Sequence, residues 1–167
     1  LTAMLLVDVS GSRDFGTVNK TKRNLMTEIA ATLAFSAIQN KDKIGVIFFS
    51  DKIEKFIPPQ KGKKHILYII RELLDFKPES TRTDVAKVLQ YFTNAIKRRC
   101  TAFLISDFID GEFERAMMIA NRKHDVVALQ VYDPRETEMP DIGLVKLKDA
   151  ETGERLWVDT SDRRLRM

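Results

Sequence analysis

The sequence predicts a doubly wound α/β domain, with a mostly parallel central sheet and helices on both faces. Two observations predict it, and a third marks where its functional crevice falls. Short, continuously apolar runs recur along the chain, as strands buried on both faces of a parallel sheet require. The segments between them carry apolar residues at helical spacing, so strands and helices alternate. The first and the later central run each end in an aspartate, at the strand ends where open α/β sheets place their functional crevice.

Ala3 to Val9 is the first apolar run. Beyond a loop through Gly16, Leu25, Ile29, Leu33, Ala37 and Ile38 predict a helix from about Asn19 to Gln39. Lys43 to Ser50 is a second buried strand. The Ser50-Asp51-Lys52 turn returns the chain as Ile53 to Ile57, whose mixed pattern suits a short antiparallel edge strand ended by Pro58-Pro59. Ile66, Leu67, Ile70, Leu73 and Leu74 place a helix over Lys63 to Phe76, stopped by Pro78. After the loop Glu79 to Arg82, Val85, Val88, Leu89, Phe92 and Ile96 form one helical face. Cys100 to Asp107 reads as strand, Gly111 to Arg122 as helix and Asp125 to Tyr132 as strand. Leu144 to Leu147 and Arg155 to Val158 flank Asp149 to Glu154 and read as a terminal hairpin or strand pair.

A chain of 167 residues is one domain long enough to bury a core, and residues 1–167 read as that single domain. Its 44% hydrophobic and 31% charged residues exclude a disordered chain. A net charge of +4 permits an acidic partner without demanding nucleic acid. The basic clusters at Lys61 to Lys64, Lys97 to Arg99 and Arg163 to Arg166 lack interleaved aromatics, and read as solvated helix ends. Cys100 has no partner for a disulfide, which points to a reducing, cytoplasmic location. No apolar stretch reaches the roughly 18 residues of a membrane span. Leu1 stands close to a strand and Ser161 to Arg166 reads like a capped helix cut short, so a domain excised from a longer polypeptide is expected.

Asp8-Val9-Ser10-Gly11-Ser12 carries the chemistry. An acid and two hydroxyls leaving a buried strand make an oxygen-rich corner suited to a hard cation such as Mg²⁺. In the common strand order, the strands ending in Asp8 and Asp107 are neighbours where the order reverses. Thr83, in a loop just before a helix, falls at the same rim. Asp8, Ser10, Ser12, Thr83 and Asp107 thus form the candidate metal set. Each has a plainer role open to it: Ser10 and Ser12 as turn residues, Thr83 as an N-cap, Asp107 as a helix cap. Other chemistries miss by single features. Gly11 to Gly16 has P-loop spacing, but Thr17-Val18 stands where Lys-Ser/Thr is required. His65 and His124 lack ligand spacing and read as surface or boundary residues. Ser10 replaces the second acid of an aspartyl-phosphate site.

Asp8-x-Ser10-x-Ser12, with Thr83 before a helix and Asp107 after a strand, resembles the metal-ion-dependent adhesion site of von Willebrand factor A-type domains, over essentially the whole chain. Phe49-Ser50-Asp51, Thr83-Asp84, Ile105 to Phe108, His124 to Val127, Asp133 to Glu136 and Asp149 to Glu154 more specifically resemble a bacterial family of uncharacterised function. That family is often encoded beside MoxR-type AAA+ ATPases. The resemblance implies a Rossmann-like fold and a protein-binding, non-enzymatic role. It implies that Ser10, Ser12 and Thr83 ligate Mg²⁺ or Mn²⁺ directly, and Asp8 and Asp107 directly or through water. The sixth position would take an acidic side chain of the partner, a MoxR-type ATPase or a client it remodels. Two departures are Arg13, directly after the motif, and Thr81-Arg82, where glycines often precede the Thr. The competing expectation is a Mg²⁺-dependent nuclease or phosphatase using Asp8, Asp84 and Asp107 as a carboxylate cluster. The hydroxyl-rich set weighs against it, because phosphoryl chemistry recruits more carboxylates. A third expectation leaves the corner without a metal and has the domain act through its faces.

Overall fold

The structure, a computed structural model, describes residues 1–10, 22–109, 111–132, 143–148 and 155–161. Its centre is β1 (Thr2–Asp8), whose residues Met4 to Asp8 are all buried. β1 pairs in parallel with β2 (Lys43–Phe49) on one side and with β4 (Thr101–Ser106) on the other. β3 (Ile53–Gln60) adds antiparallel to β2, and β5 (Asp125–Gln130) adds parallel to β4. The order is β3-β2-β1-β4-β5. The chain therefore winds outward from β1 to β3, then crosses back to β4 on the other side of β1. The doubly wound, mostly parallel α/β architecture read from the sequence is present. The terminal strand pair is present as well, with β6 (Leu144–Lys148) antiparallel to β7 (Arg155–Asp159) in a separate two-stranded sheet.

Strand alternation divides the core into two layers. Leu5, Val7, Val46 and Phe48 meet α1 (Lys22–Gln39) and α2 (Lys63–Asp75). Met4, Leu6, Ile47, Phe49 and Leu104 meet α3 (Val85–Ala95) and α4 (Glu114–Lys123). On α1 the buried apolar positions are Met26, Ala30, Ala34 and Ala37, so small residues let the helix lie close to the sheet. Ile29, Leu33 and Ile38 pack at the flank, while Leu25 is left exposed. On α2 the seam is Ile66, Ile69 and Leu73; Leu67 and Leu74, expected inside, lie exposed about one residue's rotation away. α4 begins at Glu114, three residues later than its apolar spacing implied.

Two further expectations are corrected. Pro58-Pro59 does not end the edge strand, for β3 continues to Gln60. An outer edge needs no amide donors, and the ladder skips a residue between Val46–Ile57 and Ile44–Gln60. Gly45 lies at that irregularity. A Cβ there would stand 2.8 Å from both the Ile57 carbonyl oxygen and the Pro59 nitrogen. His124, read as a surface or boundary residue, is 1% exposed. Its Nδ1 lies 3.5 Å from Cys100 Sγ and its ring 4.4 Å from that of Phe92. His65 is half-buried, with Nε2 2.8 Å from the Ile44 carbonyl.

Gly45→Ala should destabilise the protein by about 1–3 kcal/mol, because the new methyl meets two backbone atoms as well as the Met4 sulfur, and the backbone has little room to give. A lower urea midpoint with an unchanged m-value is the expected reading. Burial first, then the Lys123 and Arg99 charges, hold the His124 imidazole below its ordinary value of 6.5, against the Ile96 backbone and Asp125. The unfolded chain therefore takes up a proton that the folded chain refuses. The neutral imidazole's stabilisation is complete above about pH 6.5 and is lost as pH falls below it. Urea midpoints measured from pH 7.5 to 5 should fall more steeply for wild type than for His124→Phe; parallel curves would contradict this.

Candidate metal-binding rim

Asp8 is the last residue of β1, and the register that pairs Val7 with Ile105 sets it beside Ser106, the last residue of β4. Its carboxylate is 0% exposed. Oδ1 accepts from the Ser10 amide at 2.9 Å. Oδ2 accepts from the Ser106 hydroxyl at 2.7 Å and, more distantly, from the Thr83 hydroxyl at 3.4 Å. Burial raises the Asp8 carboxyl above its ordinary value; the amide and hydroxyl of Ser10 and the hydroxyl of Ser106 oppose that, while the Asp107 charge adds to it. Two carboxylates distant in sequence thus meet at the carboxyl ends of β1 and β4.

Asp107 is 2% exposed and is held from both sides. Its Oδ1 accepts from the Ile109 amide at 3.2 Å, its Oδ2 from the Lys22 ammonium at 3.1 Å, and its carbonyl from Gln130 Nε2 at 3.2 Å. The turn that follows is tight. Phe108 adopts φ 57, a left-handed conformation that costs a non-glycine residue about 1–2 kcal/mol. Its amide donates to Ser106 Oγ at 3.1 Å, and its ring packs on Phe113 with centroids 5.6 Å apart. The Ser106 hydroxyl therefore ties the turn after β4 to the end of β1.

Thr83 reaches the rim because its loop is fastened to the β2–β3 turn. The Asp84 amide donates to the Ser50 carbonyl at 3.1 Å, and Glu54 Oε1 accepts from the amides of Glu79 and Ser80, each at 3.2 Å. The N-cap of α3 is Asp84, whose Oδ1 accepts from the Lys87 amide at 2.8 Å, so Thr83 is not the cap. Asp8, Ser10, Thr83 and Asp107 are brought to one rim. Ser12, Gly11 and Arg13 lie outside the described residues, as do Asp133 to Glu136 and Asp149 to Glu154.

The donor set fits a hard divalent cation: carboxylate and hydroxyl oxygens, with no soft ligand among them. Among the described residues no three His, Cys, Asp or Glu side chains gather as a metal-binding group. The expected Asp8/Asp84/Asp107 cluster is accordingly not assembled, and Asp84 serves the start of α3 instead. Sequence reasoning missed Ser106 and Lys22. Ser106 carries a signal, since it stands next to Asp107 at the end of an apolar run. Lys22 carries none, being one of several basic residues in its stretch.

Residues 1–167 match the model of the family described as "Protein of unknown function DUF58", and the chain belongs to that family. It is 32% identical over 156 residues to the uncharacterized proteins Mb1516 of Mycobacterium bovis and Rv1480 of Mycobacterium tuberculosis, covering 92% of this chain and 49% of each relative. The chain thus spans about half the length of these curated relatives. Its fold is similar to that of an aerotolerance-related membrane protein from Bacteroides fragilis, with a TM-score of 0.67 at 16% identity over 97% of this chain and 83% of that one. It is likewise similar to the conserved hypothetical protein BatB from Bacteroides thetaiotaomicron, with a TM-score of 0.62 at 15% identity over 93% and 75%. At such identities the likeness is one of fold. Among the described residues no helix is long and apolar enough to cross a membrane.

Ser106→Ala should leave the buried Asp8 Oδ2 short of its nearest donor and destabilise the fold by about 1–3 kcal/mol. Chemical denaturation checks this, and Ser106→Thr, which keeps the hydroxyl, should recover part of the loss.

Proposed function

We propose that this domain is a non-enzymatic protein-interaction module that binds its partner through a divalent cation. The observation that carries the reading is the meeting of Asp8, Ser10, Thr83 and Asp107 at the carboxyl-end rim, with both carboxylates buried. Asp8, Ser10, Ser12, Thr83 and Asp107 would hold Mg²⁺ or Mn²⁺. Bound there, the ion would supply a Lewis acid only partly neutralised by two carboxylates, open to an acidic side chain of another protein. Ser106 and the Ser10 amide orient Asp8, and the Ile109 amide orients Asp107, so both acids are set before any ligand arrives. The Glu54 and Ser50 contacts do the same for the loop that carries Thr83.

The resemblance of these motifs to adhesion-site domains supports the reading. The same resemblance makes a MoxR-type AAA+ ATPase, or its client, the partner we propose. The hydrolase alternative has less support, because Asp84 is engaged in capping α3.

Melting curves with and without Mg²⁺ or Mn²⁺ test the metal. Saturation at 100-fold over the dissociation constant should add about 2.7 kcal/mol. For a chain of this length that is a shift of roughly 5–10 °C. The shift should vanish in Asp8→Ala measured against its own metal-free baseline. A wild-type midpoint indifferent to both ions would overturn the metal reading. Capture of an acidic partner that survives EDTA would overturn the metal-dependent mode of binding.

A further inference from the structure

Lys22 is the least expected residue of the rim. It is the first described residue of α1, and no acidic residue shares that turn. Its side chain is 3% exposed and that of Asp107 is 2% exposed. A lysine is almost never so buried unless paired, and burial without a partner is strongly unfavourable. Its ammonium lies 3.1 Å from Asp107 Oδ2, an oxygen of one of the two acids that meet at the rim. Asp107 Oδ1 is already engaged by the Ile109 amide. Oδ2 is thus the oxygen of Asp107 turned toward a cation, and the cation it meets is the protein's own.

We propose that Lys22 is a tethered counter-cation of the rim, which a divalent ion must displace from Asp107 in order to bind. The inference rests on the metal-binding reading above and adds the residue that regulates it. A divalent ion in contact with Asp107 and an ammonium on the same carboxylate repel each other strongly where both side chains are this buried. The two therefore exclude one another. With the ammonium in place the buried carboxylates are partly neutralised and the fold does not depend on metal. With metal in place the first turn of α1 loses its anchor at Asp107. Lys22 accordingly lowers metal affinity and links occupancy of the rim to the start of α1.

Two variants separate this role from a merely structural one. Lys22→Met removes the ammonium, and Lys22→Gln removes the charge but keeps N–H donors for Asp107. Binding of Mn²⁺ alone, followed through the paramagnetic resonance of the free ion, should be tighter in both variants by about tenfold or more. Both should melt lower than wild type in EDTA and show the larger gain in midpoint on adding Mn²⁺. If Lys22→Met folds only with metal, that supports the proposal, and Lys22→Gln then supplies the affinity comparison. Variants that bind Mn²⁺ no more tightly than a metal-binding wild type overturn this proposal and leave the metal site standing. Binding by the variants but not by wild type supports the tethered cation and removes the metal from the native domain's function. Absence of binding in all three proteins overturns both readings.

Discussion

The rim depends on one buried group, the carboxylate of Asp8. It ends the central strand without solvent, so it demands donors, and those donors come from separate parts of the chain: Ser10 beyond its own strand, Ser106 at the end of β4, and Thr83 before α3. A carboxylate buried without them would cost more than the fold could tolerate. Satisfying Asp8 therefore aligns the ends of two strands and the entrance of a helix. The same contacts that lower this cost place the candidate ligands.

Asp107 presents a second version of that problem with a different answer. It accepts one backbone amide, and its remaining oxygen faces the Lys22 ammonium. The two acids are thus stabilised unlike each other, Asp8 by neutral donors and Asp107 in part by a charge. That asymmetry matters electrostatically. Burial raises the Asp8 carboxyl above its ordinary value, and its neutral donors only oppose that rise. Asp107 instead meets a cation from within the chain.

The scaffold makes this arrangement rigid. Helices pack on both faces of the sheet, with α1 and α2 on one layer and α3 and α4 on the other. The β2–β3 turn reaches over to hold the Thr83 loop, and Phe108 accepts a left-handed conformation where the chain leaves β4. Strain of that kind persists where surrounding contacts over-determine the backbone, and here the Ser106 hydroxyl and the Phe113 ring supply them. At the opposite ends of β4 and β5, the buried His124 beside Cys100 shows that polar burial in this fold is not confined to the rim.

Alternation of apolar runs with helical spacing was enough to read the doubly wound sheet, and with it the neighbourhood of Asp8 and Asp107. Both follow from local pattern and from the few ways such units can be connected. The apolar pattern could not say which side of α2 faces the sheet, since Leu67 and Leu74 are as apolar as Ile69. It could not say that Pro58-Pro59 would ride on an open edge beside Gly45, because that depends on the partner strand. Nor could it show that Ser106 and Lys22 belong to the rim. A serine and a lysine acquire meaning only when register and packing set them against a buried carboxylate, and that juxtaposition exists only in three dimensions. The sequence by itself determined the architecture and named the candidate oxygen donors; the tertiary structure decided which polar groups are buried together and what pairs with them.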